Sequence, residues 1–141
     1  MRWDFFMQYW LIKSEPYKYA WDQLIKDTWT FWDGVRNYQA RKFLKQMEKS
    51  DLCLYYHSNE GKEIVGIAEV IKTAYQDPTT DDERWVAVDI KPKLPFKRKI
   101  GLKEIKQTPE LDQMILVKNP RLSVQPVKPE EFDIIVKLSN A

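Results

Sequence analysis

The sequence predicts an α+β domain: a small mixed or antiparallel β-barrel with short helices packed around it. Three observations predict this. Five or six short runs of strand formers are interspersed with about four stretches of helical period, and no βα alternation repeats, so a doubly wound sheet or an eight-fold barrel fits poorly. The 141 residues make a single-domain length, long enough to enclose a core. A share of 43% hydrophobic and 31% charged residues belongs to a soluble globular domain.

Taken in order, Met1 to Phe6 forms an N-terminal extension, either a short apolar arm or a start placed ahead of the domain proper, which runs from 7 to 141. Tyr9 to Ser14 is rich in strand formers and stops before Glu15-Pro16, because proline cannot continue a ladder. Lys13, Ser14 and Glu15 therefore lie at a strand end, where polar side chains can converge. Trp21, Leu24 and Ile25 have helical spacing, giving a short helix to about Lys26, followed by a loop through Trp29 and Trp32. Asn37 stands where an N-cap belongs, and the stripe of Ala40, Phe43, Leu44 and Met47 makes Tyr38 to about Glu48 an amphipathic helix.

Leu52 to His57 is a strand with Leu52, Leu54 and Tyr56 on one face and Cys53, Tyr55 and His57 on the other. Ser58 to Gly61 has turn chemistry, and Ile64 to Ile71 is a second strand, giving an antiparallel pair. Gly66 within it marks a bulge or a close backbone approach. Gln76 to Glu83 is acidic and proline-broken, a mobile loop. Trp85 to Ile90 alternates as a strand, with Pro92 and Pro95 marking an edge or an exit. Leu102 and Ile105 suggest one or two helical turns, and Leu111 to Val117 is ambiguous between strand and helix. Arg121 to Val127 is extended. Pro129, with Glu130 and Glu131 behind it, starts a final helix that buries Phe132, Ile135 and Val136.

Composition excludes several chemistries. One cysteine, Cys53, rules out an internal disulfide and a cysteine metal cluster, and fits a reducing compartment. Four glycines and no phosphate-loop or dinucleotide fingerprint argue against a phosphate-cradling fold. Cys53 and the single histidine, His57, lie ~13 Å apart at strand rise and cannot form a dyad. No metal-ligand spacing and no cofactor motif is present. No apolar run approaches the roughly 18 residues of a spanning helix, and Asp4 and Lys13 interrupt any signal peptide. No membrane association is expected.

A net charge of +2 offers no bulk basic field, so nucleic-acid binding requires a local patch. Lys97-Arg98-Lys99, with Arg41, supplies the phosphate-contact candidates; a solvated surface is the plainer reading. Six tryptophans and seven tyrosines exceed what a core of this size asks for. Such faces stack on a flat heterocycle at roughly 1–3 kcal/mol each, while polar groups read its edge. Taken singly, each aromatic also fits core packing, and the stretch Trp32 to Arg41 also reads as a rigid loop closing a barrel.

Four blocks carry a resemblance: Tyr9 to Pro16, Trp32 to Arg41, Tyr55 to Glu69 and Arg121 to Val127. Together they make the chain, from about Met7 onward, similar to the EVE domain family. The resemblance implies a PUA-like fold, a small mixed pseudo-barrel with short helices around it. It implies a non-enzymatic reader of modified bases, chiefly modified cytosine in DNA, with the base flipped into a pocket and no established catalytic residue. Carried onto this sequence, Ser14 and Glu15 line the pocket from the first strand; Trp32, Val35, Arg36, Asn37 and Tyr38 form a wall; Tyr56, His57 and Ser58 face it; Ser123 and Gln125 close the side.

The partner expected is nucleic acid, DNA ahead of RNA, bound by a monomer in the cytoplasm, on the nucleoid of a bacterium or in a eukaryotic nucleus. Two other functions remain open from the residues: a PUA-type RNA-binding domain, and a small nucleotide or nucleoside hydrolase using Glu15 or His57.

Overall fold

The computed structural model describes residues 7–141; the N-terminal extension read from Met1 to Phe6 lies outside the described residues. The chain runs β1 (Tyr9–Ser14), α1 (Pro16–Tyr19), α2 (Trp21–Asp27), β2 (Thr30–Trp32), α3 (Tyr38–Gln46), β3 (Leu52–His57), β4 (Glu63–Gln76) and β5 (Val86–Gly101). It continues through α4 (Leu102–Gln107), a 3-10 turn (Pro109–Leu111), α5 (Ile115–Lys118), β6 (Val124–Val127) and α6 (Pro129–Ser139). The strands form one mixed sheet in the order β2-β5-β4-β3-β1-β6. β1 and β3 are parallel neighbours; the other pairs are antiparallel.

Strand alternation gives this sheet two apolar faces. Trp10, Ile12, Cys53, Tyr55, Val65, Val88 and Ile90 face one cluster, which takes in Trp21 and Leu24 of α2 and Ala40 and Leu44 of α3. Tyr9, Leu11, Leu54, Tyr56, Ile64 and Phe96 face the other, covered by Ile105 of α4, Leu116 of α5, and Phe132 and Ile135 of α6. The period-2 reading of β3 and the helical stripe of α3 are thus both used, each against its own layer.

β5 serves both layers. Its even positions Val86, Val88 and Ile90 pack in the first cluster, and its even positions Phe96 and Ile100 in the second. Between the two sets its pairing with β4 slips: the step from Ile67 to Ala68 opposes the step from Leu94 to Pro92, so one extra residue of β5, Lys93, bulges out and turns the strand. Pro92 and Pro95 sit in this slipping region and mark an edge, not an exit. β2 pairs with β5 only over Val88–Ile90, so the later prolines withhold no N–H that a described neighbour on that side needs.

Gly66 makes a close approach. A Cβ there would lie 2.6 Å from Cζ2 of Trp21 and 2.9 Å from the Leu94 carbonyl oxygen. Two elements escaped the sequence reading: the one-turn α1, and β2, which lies where a loop is expected. The ambiguous 111–117 segment is helical, ending in α5. α6 starts as its proline and glutamates predict, with the Lys128 N–H donating to Oε1 of Glu131 at 2.9 Å.

Candidate functional site

Parallel strands end on the same side, and β1 and β3 end together. Ser14 stands in register with His57, and the Ser58 N–H donates to the Ser14 carbonyl at 2.9 Å. On the other flank the Lys13 N–H donates to the Ser123 carbonyl at 3.0 Å. Past these ends lies a cleft of about 660 Å³, a volume ordinary for a small-molecule or single-residue ligand. Lys13, Ser14 and Glu15 line it from β1, and Lys18 and Tyr19 from α1. Thr30, Phe31 and Trp32 of β2 and the Asp33–Arg36 loop form the facing wall. The β3–β4 turn gives Ser58 and Asn59, and the segment before β6 gives Pro120, Arg121 and Ser123.

Behind the Trp32 wall of the cleft lies a buried aromatic cluster. Tyr55 is fully buried, and Trp21 and Trp32 meet its ring edge-on, with centroids at 5.3 and 5.5 Å. Its hydroxyl donates to the Tyr19 carbonyl at 2.8 Å, and burial pushes its pKa far up. The body of Trp32 is therefore core, 8% exposed, while its edge reaches the cleft. His57 holds this cluster to α2: its Nε2 accepts the Trp21 N–H at 3.1 Å, a role only an unprotonated nitrogen can fill. Burial, followed by the nearby Lys99, pushes the His57 pKa down against the opposing pull of Glu63 and Asp22.

The loop that bears Arg36 is pinned from an unexpected place. Asp77, at the start of the segment read as a mobile acidic loop, is fully buried. Its Oδ2 accepts the Gly34 N–H at 2.8 Å and Nη1 of Arg36 at 3.0 Å; its Oδ1 accepts the Thr79 N–H at 2.7 Å and the Thr79 hydroxyl. Burial alone would raise its pKa, but these donors outweigh burial and hold it at about 2. Gly34 has φ +75°, the left-handed region that suits glycine, and so can turn its N–H onto Asp77. The segment from Asp77 to Glu83 is irregular as read, but Asp77 at its start is a buried anchor where the sequence suggests one more solvated charge.

The cations of the cleft differ in pairing. Arg36 is neutralised by Asp77. Lys18 lies 3.7 Å from Oε2 of Glu15, an ion-pair distance but not a hydrogen bond. Lys13, half-buried, donates its ammonium to the Pro120 carbonyl, and burial pushes its pKa down. Oε2 of Glu15 is itself shielded from solvent and accepts no hydrogen bond.

Of the residues singled out in the sequence, Ser14, Glu15, Trp32, Val35, Arg36, Ser58 and Ser123 are brought together around the cleft. Five are placed elsewhere. Asn37 caps α3, its side chain accepting the Ala40 N–H at 2.9 Å. Tyr38 is 56% exposed, lies tilted against Trp85 with ring centroids 5.2 Å apart, and accepts from Arg84. His57 lies behind the lining, in the aromatic cluster. Tyr56 faces the second core layer. Gln125, in register with Leu11 of that same layer, is fully buried and spends its amide on the Leu122 and Asn119 carbonyls.

Among the phosphate-contact candidates, Arg98 is committed to a two-pronged pair with Glu104, at 2.8 and 2.9 Å, and to the Leu138 carbonyl. Arg41 donates to the Arg84 carbonyl and lies over Tyr38 and Trp85. Lys97 and Lys99 are exposed on β5 and do not line the cleft. The sequence reading left Lys18, Tyr19, Phe31, Asn59 and Arg121 out of the site. Phe31 carried the one usable signal, as an aromatic beside Trp32, but a three-residue strand is too short to show a period. Among the described residues, no three His, Cys, Asp or Glu side chains converge as metal ligands. No described helix is long and apolar enough to cross a membrane.

The model of the EVE domain matches residues 8–138 of this chain. Mouse (Mus musculus) thymocyte nuclear protein 1 is 38% identical over 165 aligned positions, which cover 92% of this chain and 73% of that protein. A protein of Rhodopseudomonas palustris solved by NMR superposes with a TM-score of 0.91 at 46% identity, covering 95% of this chain and 94% of that one. The human THYN1 protein, crystallised in complex with DNA containing 5-methylcytosine, superposes with a TM-score of 0.89 at 33% identity, covering 95% of this chain and 98% of that one. A YTH domain from Zygosaccharomyces rouxii, at 16% identity and a TM-score of 0.64, shares the fold. With residues 8–138 matched and relatives of this similarity along nearly its whole described length, the chain belongs to the EVE domain family.

Proposed function

We propose that this protein is a non-enzymatic reader of a modified base in nucleic acid, DNA ahead of RNA, that takes one flipped nucleotide into the cleft at the ends of β1 and β3. Modified cytosine is the base the reading favours, because the similar human THYN1 protein is bound to DNA carrying 5-methylcytosine. The observation that carries the reading is the cleft itself, an opening of about 660 Å³ with aromatic edges and hydrogen-bonding groups, backed at Trp32 by a buried aromatic cluster. Ser14, Glu15, Trp32, Val35, Arg36, Ser58 and Ser123 are the contacts proposed from the original set, with Phe31 and Arg121 added. Extruding a base costs a few kcal/mol, least at a weakened pair, and stacking with edge hydrogen bonds offsets that cost. His57, occupied by the Trp21 N–H and set back from the cleft, makes a poor general base for a hydrolase.

The test is fluorescence anisotropy with labelled duplexes carrying a single 5-methylcytosine or none, and with the matching RNAs. The reading expects tighter binding of the modified DNA and weak binding of plain duplex, given the modest net charge. Phe31→Ala, at a residue 37% exposed and lining the cleft, should weaken binding roughly 5- to 150-fold with unchanged thermal unfolding, the effect of losing one stacked ring. Equal, tight binding of modified and plain duplex would overturn it. Trp32→Ala is the less discriminating variant, since that ring is also part of the core.

A further inference from the structure

From Glu15 we infer that its carboxylate selects an amino-bearing base over a keto-bearing one, an inference that rests on the base-reading function above. The two most buried carboxylates among the described residues, Asp77 and Asp51, are each saturated with donors. Asp77 receives the four hydrogen bonds described. Asp51 receives the Gln8 and Glu48 backbone N–H groups, the Gln8 side-chain amide and the Trp10 indole N–H, at 2.8–3.2 Å. Glu15 lines the cleft, and its Oε2 is enclosed by protein without a hydrogen-bond partner; the mostly solvated Lys18 ammonium stays at 3.7 Å, and the exposed Tyr17 hydroxyl is the other polar group acting on this carboxyl. A shielded carboxylate oxygen without a donor is rare in a folded protein and calls for an explanation. The terminal torsion of a glutamate is soft, so the group turns to present either oxygen to the cleft.

The missing donor has a specific chemistry. Glutamate accepts from the exocyclic amine of cytosine. At the same ring position thymine carries a carbonyl oxygen, an acceptor that faces the carboxylate with like charge. 5-Methylcytosine and thymine share the 5-methyl group and differ at this edge, so the comparison isolates the amine. Two of the four cations lining the cleft are engaged elsewhere, Arg36 with Asp77 and Lys13 with the Pro120 carbonyl; Lys18 and Arg121 remain in the cleft with the Glu15 carboxylate, and the variants below separate its effect from theirs.

The experiment measures binding to single-stranded oligonucleotides with one central 5-methylcytosine or one central thymine, so that extrusion from a duplex contributes nothing. Wild-type protein should prefer the 5-methylcytosine strand about tenfold, the scale of a well-made base-edge contact. Glu15→Gln, whose amide turns to either donor or acceptor, should bring the ratio within about threefold while keeping thymine-strand affinity at or above the wild-type value. If that variant fails to fold, Glu15→Ala replaces it with the same expected ratio. A preference that survives both substitutions assigns the discrimination elsewhere and overturns the inference. Equal wild-type binding of the two strands, with 5-methylcytosine duplex still preferred over plain duplex, overturns it and leaves the base-reading function intact. Failure of wild-type protein to prefer modified over plain duplex overturns both.

Discussion

Replacing Asp77 by asparagine tests whether the cleft wall is held by a charge buried beneath it. The carboxylate accepts from the Gly34 N–H, the Arg36 guanidinium, and the Thr79 N–H and hydroxyl. Its pKa of about 2 against an ordinary 3.8 corresponds, at 1.36 kcal/mol per pKa unit, to about 2 kcal/mol favouring the charged form in the folded state. Asparagine keeps one acceptor oxygen and loses the charge, so Asp77→Asn should cost about 2–3 kcal/mol. The assay is urea unfolding, read as a drop in midpoint with an unchanged slope. Because the folded-state pKa is depressed, the contribution of the charge is complete above pH 3.8 and is lost as pH falls towards about 2. The gap between wild type and variant should therefore close over that interval. Base binding should weaken as well, since Gly34 to Arg36 form one wall of the cleft. A variant within 0.5 kcal/mol of wild type, or a gap independent of pH, would refute the argument; the threshold is about the scatter of ordinary surface substitutions.

Other outcomes follow from the same structure. Gly66→Ala should destabilise the fold by about 1–3 kcal/mol and change the tryptophan fluorescence, because the added methyl meets the Trp21 ring and the rigid Leu94 carbonyl; calorimetry and emission spectra check both. Asn37→Ala should cost about 1 kcal/mol by chemical denaturation, the loss of the α3 N-cap. If it abolishes base binding without that loss, Asn37 contacts the ligand directly. The lowered pKa of His57 means the unfolded chain takes up a proton that the folded protein resists, so stability should fall as pH drops below the ordinary value of 6.5. His57→Gln should flatten that dependence in unfolding curves taken across the interval. Arg98→Ala should alter stability by no more than about 1 kcal/mol and leave the salt dependence of DNA binding unchanged, since its guanidinium is spent on Glu104.

What the sequence made legible was local. The N-cap and stripe of α3, the proline start of α6, the two faces of β3 and the close approach at Gly66 all rest on neighbours a few positions apart. What stayed hidden depends on where distant segments meet. Period-2 logic separated Tyr56 from Tyr55 and His57, but only the register of β1 against β3 shows which of those faces Ser14 shares. Asp77 reads as one more charge in an acidic loop until the fold sets Gly34 and Arg36 against it. A proline interrupts a strand only where the N–H it lacks would have met an acceptor, and past Ile90 the β2 side of β5 offers none among the described residues. Gln125 stands two residues past the cleft-lining Ser123, yet β6 begins between them and its register against Leu11 buries it.

The double service of β5 bears on how this protein comes apart. A strand whose first half completes one apolar layer and whose second half completes the other links the two mechanically. Melting either layer strips β5 of packing that holds it in place for the other. The cleft, perched on the first layer, is therefore as durable as the helices packed against the far side of the sheet, and heat should erase both in a single transition.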